Sequence, residues 1–404
     1  MTDSTTILRK HTRENAMRVT YWGIRGSTAV FPTPPEVRDY TERVAVYTLQ
    51  EAFKMLAEEI TAGTFTLETI VKFSKNPTAI KALQEAIGLP PLPVYGGDTT
   101  CIEIETNEGN VFVIDGGSGV RHCAHAREKL WADKKDKHIH FLYTHEHLDH
   151  RGGTPFSRFC FAKQPYTITT YANSSTLSAL DEQFGVFSGI VPKTHRDTPV
   201  DWRFMTAKKW NAVELRSDFE TPSIPRDTPL YDKEQQPRIW KAQALKPFTV
   251  GRTTITPFDS FHYPTPCLAY KIEHDGKSVV IWTDHEMRRG PMTDQKKISM
   301  QMESAGRALC NNADLMYVDG QYFHAEYDGI KGIGGTPAAP RIGWGHSCIE
   351  DVLGRAEELG IKDLRIGHHD PEREYKEMLE IDEAFSKRAG MHVELAKCFQ
   401  VIDL

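Results

Sequence analysis

Short apolar runs that stop abruptly at a polar side chain recur along this chain. Ile139 to Tyr143 ends at Thr144, and Ser278 to Trp282 leads into Thr283-Asp284. Leu315 to Val318 leads to Asp319, and Leu364 to Gly367 to the pair His368-His369. Val250 to Pro257 runs on towards His262. Runs of this length rich in β-branched and aromatic residues predict buried strands, each ending in a polar loop. Residues 100–106 and 110–115 flank Asn107-Glu-Gly109 and predict a hairpin. Residues 18–30 predict a strand followed by a loop in which Gly23 and Gly26 permit tight turns.

A different period governs residues 33–93. Leu49, Phe53, Leu56 and Ile60 fall on one face of an α-helix. Leu67, Ile70, Val71 and Phe73 predict a second helix, and Ile80, Leu83 and Ile87 a third. Prolines at 32, 34 and 35 break the chain before Glu36 starts the helical pattern, and Gly88 with Pro90, Pro91 and Pro93 closes the segment. It reads as an amphipathic helical insertion, serving as a cap or a dimerisation element. Residues 154–190 mix short helical and strand patterns, and the run Gly343-Trp-Gly-His346-Ser-Cys-Ile-Glu350 opens a helix. Between 192 and 246, prolines at 192, 199, 222, 225, 229 and 237 argue against regular structure. Trp202, Trp210 and Trp240 lie among them, so this second insertion is expected to be a long loop whose aromatics pack on the body.

The chain has 404 residues, 39% hydrophobic and 26% charged, enough for a large core. A net charge of −6, with bases and acids nearly balanced even in 192–246, gives no support for nucleic-acid binding. The seven cysteines are scattered and form no C-x-x-C, which argues against a disulfide framework and for a reducing compartment. No signal-peptide core or long apolar span is visible, so a cytoplasmic protein without membrane association is expected.

The densest chemistry is His145-Glu-His147-Leu-Asp149-His150, directly after a predicted buried strand. Imidazoles and a carboxylate crowded at a strand end suit a divalent transition metal. His145 and His147, two apart, project to one side of an extended segment. Asp149 and His150 follow after the chain turns and can serve a second ion. Read locally, Asp115 before Gly116-Gly117 is equally a turn residue, and Asp284 after its strand is equally a helix cap.

The H-x-H-x-D-H pattern, behind an apolar strand and before Gly152-Gly153, resembles the metallo-β-lactamase superfamily. Tyr21-Trp-Gly-Ile-Arg-Gly-Ser27 and Gly96-Gly-Asp-Thr-Thr-Cys101 resemble its phosphodiesterase branch, which is related to ribonuclease Z and includes cyclic-nucleotide phosphodiesterases. The resemblance implies an α/β, four-layer αββα sandwich with a metal site at one edge of the two sheets. A single domain of this type is expected over 1–404, carrying the two insertions. The implied ligands are His145, His147 and His262 for one ion and Asp149, His150 and His368 for the other. Asp284 would bridge them, and His369 is the alternative to His368. Asp115 would buttress the metal loop, and Asp319 with His346 would form the catalytic acid pair. The implied cofactors are two divalent ions, zinc or manganese.

The activity so implied is hydrolysis of a small cyclic phosphodiester, a 3′,5′-cyclic nucleotide such as cAMP or cGMP, by a two-metal-activated hydroxide. A homodimer is expected from the same branch. Three alternatives stay open: a ribonuclease Z-like RNA endonuclease, a non-catalytic binding module, and an ester or thioester hydrolase on the same fold.

Overall fold

The computed structural model describes residues 15–32, 34–64, 66–88, 94–161, 166–184, 209–217, 241–386 and 390–404. The chain divides into two compact units, one of residues 31–94 and one of the rest. The larger unit contains two sheets. The first is built from β1 (Met17–Gly23), β2 (Cys101–Thr106), β3 (Val111–Ile114), β4 (His138–Leu142), β5 (Thr167–Ala172), β6 (Lys209–Arg216) and β7 (Lys241–Ala244). The second is built from β8 (Phe248–Val250), β9 (Thr253–His262), β10 (Thr265–His274), β11 (Lys277–Trp282), β12 (Leu315–Asp319), β13 (Asp363–Gly367) and β14 (His392–Leu395). The C-terminal β15 (Val401–Asp403) returns to the first sheet and pairs with β1, completing the order β15-β1-β2-β3-β4-β5-β6-β7. The second sheet runs in the order β14-β13-β12-β11-β10-β9-β8.

Alternation along these strands creates three separate apolar cores, and the three cores define four layers. Phe112 and Ile114 of β3 face Ile272, Val279, Ile281 and Tyr317 in the core between the sheets. Val111 and Val113 turn the other way, against Val120, Cys123 and Ala124 of the helix Val120–Leu130. In the second sheet Val280, Met316, Val318, Leu364 and Ile366 pack outward on Val352, Leu353, Met378 and Phe385. These last four lie on the helices Ile349–Glu358 and Tyr375–Ser386. The α/β sandwich is therefore helix, sheet, sheet, helix, as the resemblance implied. Strands buried on both faces read as continuous apolar runs, which is why they were visible in the sequence.

The strand directions place the chemistry. From β3 to β7 neighbours are parallel, and so are those from β11 to β14. Asp115, Thr144, Asp284, Asp319 and His368 all lie at the carboxyl ends of such strands, where α/β sheets present ligand sites. Hydrogen bonds tie the sheets together at this edge. Leu268 N–H donates to the Thr144 carbonyl at 2.9 Å, and the Tyr270 hydroxyl to the Tyr143 carbonyl at 2.6 Å.

The smaller unit contains the helices Pro34–Thr61, Leu67–Ser74 and Pro77–Ile87. Thr66 caps the second by accepting from Thr69 N–H, and Asn76 caps the third ahead of Pro77. The predicted apolar face is present, with Leu49, Phe53 and Ile60 exposed to solvent. In the 192–246 segment, expected to lack regular structure, two strands form, β6 and β7. None of the prolines falls within either strand, so nothing there removes a ladder donor. The rest of that loop, including Trp202 and Trp240, lies outside the described residues. All seven cysteines are free and buried. Among the described residues, no helix is long and apolar enough to cross a membrane.

Candidate metal centre

The loop after β4 turns immediately into the short helix Leu148–Arg151, with His147 at its N-cap position. The seven candidate ligands, with Asp319 and His346, converge here from both sheets. His145, His147, His262 and Asp284 offer donor atoms that all lie within 4.8 Å of one another, and so do Asp149, His150 and His368. Asp284 stands between the two groups. Its Oδ2 is 3.5 Å from His145 Nε2 and 3.7 Å from His262 Nε2. Its Oδ1 is 3.3 Å from His150 Nε2 and 3.2 Å from His368 Nε2. Asp149 Oδ2 is 3.3 Å from both His150 Nε2 and His368 Nε2.

These spacings test whether a cation fits. Two nitrogen or oxygen donors, each ~2.0–2.1 Å from one tetrahedral ion, sit about 3.3 Å apart. The observed separations cluster around that edge length. His145 Nε2 is fully buried and has no hydrogen-bond partner, although it is aimed into this cluster. A buried lone pair without a donor is costly unless something else satisfies it. The residues present thus fit two divalent ions with nitrogen and oxygen ligands.

Each imidazole is held from behind, which sets the nitrogen it presents. His150 Nδ1–H donates to Asp115 Oδ2 at 2.7 Å. Asp115 also accepts from Thr144 N–H at 2.7 Å and from the Thr144 hydroxyl at 2.8 Å. Because that hydroxyl donates to Asp115, it accepts from His145 Nδ1–H at 3.0 Å. His262 Nδ1–H donates to the Gly345 carbonyl at 2.8 Å. His147 is turned the other way, with Nε2 3.2 Å from Thr265 Oγ1 and Nδ1 3.1 Å from His262 Nε2. The Gln321 amide lies 3.1 Å from His368 Nδ1. Ser27 N–H donates to Asp149 Oδ2 at 2.8 Å. Thr144, Thr265, Gln321 and the Gly345 carbonyl were not singled out in the sequence. A backbone acceptor, or a lone Thr or Gln, carries no motif of its own.

The backbone contributes as well. Ser27, Asp115, Asp284 and His368 have φ of 59°, 60°, 51° and 53°, in the left-handed region that non-glycine residues rarely occupy. Each such residue costs ~1–3 kcal/mol, which the surrounding packing must offset.

Burial and the neighbouring carboxylates pull the imidazoles of the centre in opposite directions. Burial opposes a charged imidazole at His150, yet Asp284, Asp149 and Asp115 together hold its pKa well above the usual value. Burial, then the neighbouring His150, pushes His145 well below the usual value. Burial also opposes charge on His346, but Asp319 overcomes it and raises the imidazole to about 9. His346 Nδ1–H donates to Asp319 Oδ2 at 2.9 Å, and its ring stacks on His368 with centroids 4.8 Å apart. Asp319 is itself fixed by Gln321 N–H at 3.2 Å and His285 N–H at 3.3 Å. His346 also belongs to a group with Asp284 and His368 whose donor atoms are mutually within 4.8 Å. His369 points elsewhere: its Nε2–H donates to the Ala396 carbonyl at 3.2 Å.

A family model described as the metallo-beta-lactamase superfamily matches residues 94–237. No curated protein matches the chain. Solved structures with a related arrangement include a diphosphatase of the PhnP family, at 12% identity and TM-score 0.48 over 96% of this chain and 98% of that one. Human tRNase Z, short form, aligns at 16% identity and TM-score 0.47 over 95% of this chain and 98% of that one. Unliganded yeast PDE1 aligns at 11% identity and TM-score 0.48 over 96% of this chain and 100% of that one. The matched stretch holds the whole His145–His150 loop, and over these residues the chain is similar to the metallo-beta-lactamase superfamily.

Proposed function

We propose that this protein is a metal-dependent phosphodiesterase acting on a small cyclic phosphodiester, a 3′,5′-cyclic nucleotide such as cAMP or cGMP. The observation that carries the reading is the Asp319–His346 pair set beside two donor groups that share Asp284. His145, His147 and His262 would hold one divalent ion, zinc or manganese, and Asp149, His150 and His368 the other, with Asp284 common to both. Two bound ions activate water at neutral pH and clamp the oxygens of a phosphoryl group. His346 delivers a proton to the departing alkoxide oxygen, and Asp319 orients the ring and stabilises its charged form. A general acid of this kind contributes ~10²–10⁴-fold. Asp115, Thr144, Thr265, Gln321 and the Gly345 carbonyl hold the imidazoles in position. The cyclic-nucleotide specificity rests on the likeness of the 21–27 and 96–101 segments to that branch, and the mild acidity of the chain weighs against an RNA substrate.

The test is turnover of cAMP, bis-p-nitrophenyl phosphate and a tRNA precursor by wild type and His346→Ala, with metal content measured on each. Cleavage of the first two and not the third, with a ~10²-fold or greater loss in His346→Ala at full metal content, supports the proposal. Wild-type turnover in a metal-replete His346→Ala would remove His346 from this role.

A further inference from the structure

We propose that Trp344 is a stacking platform for the nucleobase of the substrate and sets the preference for base-bearing over base-free phosphodiesters. This inference rests on the phosphodiesterase reading and adds a specificity residue to it. Trp344 lies two residues before His346, yet its side chain is 54% exposed. An indole left in water forgoes a large apolar burial, so its placement needs a reason.

The turn that displays it is not loose. Gly343 and Gly345 flank the indole at φ 87° and 90°, where a side chain would be strained. Gly343 N–H donates to Glu286 Oε1 at 2.8 Å, and the Tyr327 hydroxyl donates to the same oxygen at 2.5 Å. Trp344 N–H donates to the Arg341 carbonyl at 3.0 Å, and Arg341 N–H to the Tyr327 carbonyl at 2.9 Å. The Gly345 carbonyl is the acceptor that orients His262. One pinned segment therefore carries the exposed indole, a backbone prop for a candidate metal ligand, and the candidate acid.

Arg341 completes the arrangement. Its guanidinium carbon is 4.2 Å from the Trp344 ring centroid and 6.0 Å from that of Tyr322, whose ring is 6.1 Å from His346. Among the described residues, no carboxylate lies within ion-pair distance of Arg341, so its cation is held by the rings. In the loop of candidate ligands, Leu148 is 59% exposed between His147 and Asp149. Base–aromatic stacking tolerates any base because every base has a π-face. The platform senses that a base is present, not which base.

The experiment compares kcat/KM for cAMP and for ribose 3′,5′-cyclic phosphate in metal-loaded wild type, Trp344→Ala and Trp344→Phe, with metal content and thermal midpoint recorded. The expected result is that the cAMP-to-sugar preference falls ~10-fold in Trp344→Ala, chiefly through KM, and is largely restored in Trp344→Phe. An unchanged preference in Trp344→Ala, or no recovery with Phe, overturns the proposal. The same proteins are titrated calorimetrically with adenosine 5′-monophosphate and ribose 5-phosphate, which need no turnover. Tighter binding of the nucleotide by wild type and loss of that difference in Trp344→Ala support the platform even if no phosphodiester is hydrolysed. Equal binding of the two ligands by wild type overturns it.

Discussion

Asp115→Asn is the sharpest perturbation of the centre that leaves every candidate ligand in place. Asp115 is fully buried and accepts three hydrogen bonds: from Thr144 N–H, from the Thr144 hydroxyl and from His150 Nδ1–H. An asparagine keeps one oxygen but presents an NH₂ where the other carboxylate oxygen was. If its oxygen stays on Thr144 N–H, the NH₂ faces His150 Nδ1, which must then give up its proton. The proton moves to Nε2, the atom 3.1 Å from His368 Nε2 and 3.3 Å from Asp284 Oδ1. That nitrogen can no longer bind a cation. Loss of such an outer partner costs ~10–100-fold in metal affinity, about 1.4–2.8 kcal/mol. The ion served by Asp149, His150 and His368 should suffer most, because His145 is linked to Asp115 only through Thr144. The assay is a zinc or manganese titration against a competing chelator, with folding checked by near-ultraviolet circular dichroism. Two equivalents bound by folded Asp115→Asn within twofold of wild-type affinity would refute the tautomer argument.

Further outcomes follow from the same geometry. Chelation should lower the thermal midpoint by several degrees and restored metal should recover it, since an ion present at 1,000 times its Kd stabilises by ~4.1 kcal/mol. Gly345→Ala places a Cβ 2.1 Å from His262 Nδ1 at a backbone φ of 90°. It should cut kcat/KM by ~10²-fold with the fold retained, checked by kinetics beside a thermal melt. Glu303 is buried and opposed by that burial, but Arg355, with His285 and Arg307, lowers its pKa to about 2. The stabilisation is therefore complete above the unfolded pKa of ~4.3 and is lost as pH falls towards 2, amounting to ~3 kcal/mol. Unfolding free energies from urea titrations of Glu303→Gln and wild type should differ by about that much at pH 7 and converge in acid. A difference independent of pH would show that the charge is not the cause.

What could be seen in the sequence follows from how buried parallel strands are written. Val279 to Trp282 and Leu315 to Val318 are apolar throughout because both faces are covered, and Asp284 and Asp319 then stand out at their ends. The compact His145–His150 motif announced itself for the same reason. The residues that hold the imidazoles did not, because Gly345 acts through its carbonyl and Gln321 reaches His368 across 47 positions. The strands β6 and β7 were hidden for another reason. Lys241-Ala-Gln-Ala offers only alanines at its apolar positions, and three of its four residues are exposed at the sheet edge. Prolines on either side outweighed the weak local signal. The helices of 34–87 were legible because their period is strong, although the expected apolar face stands open rather than buried.

The two sheets meet the candidate centre from opposite halves of the chain, His145 to His150 from one and His262, Asp284 and His368 from the other. Any ion seated there is a rivet through both plates of the sandwich at its working edge. Starvation for metal would then loosen the seam as well as stop the chemistry, exposing the β4–β10 join to proteases. The supply of metal would govern how long the protein survives as well as how fast it works.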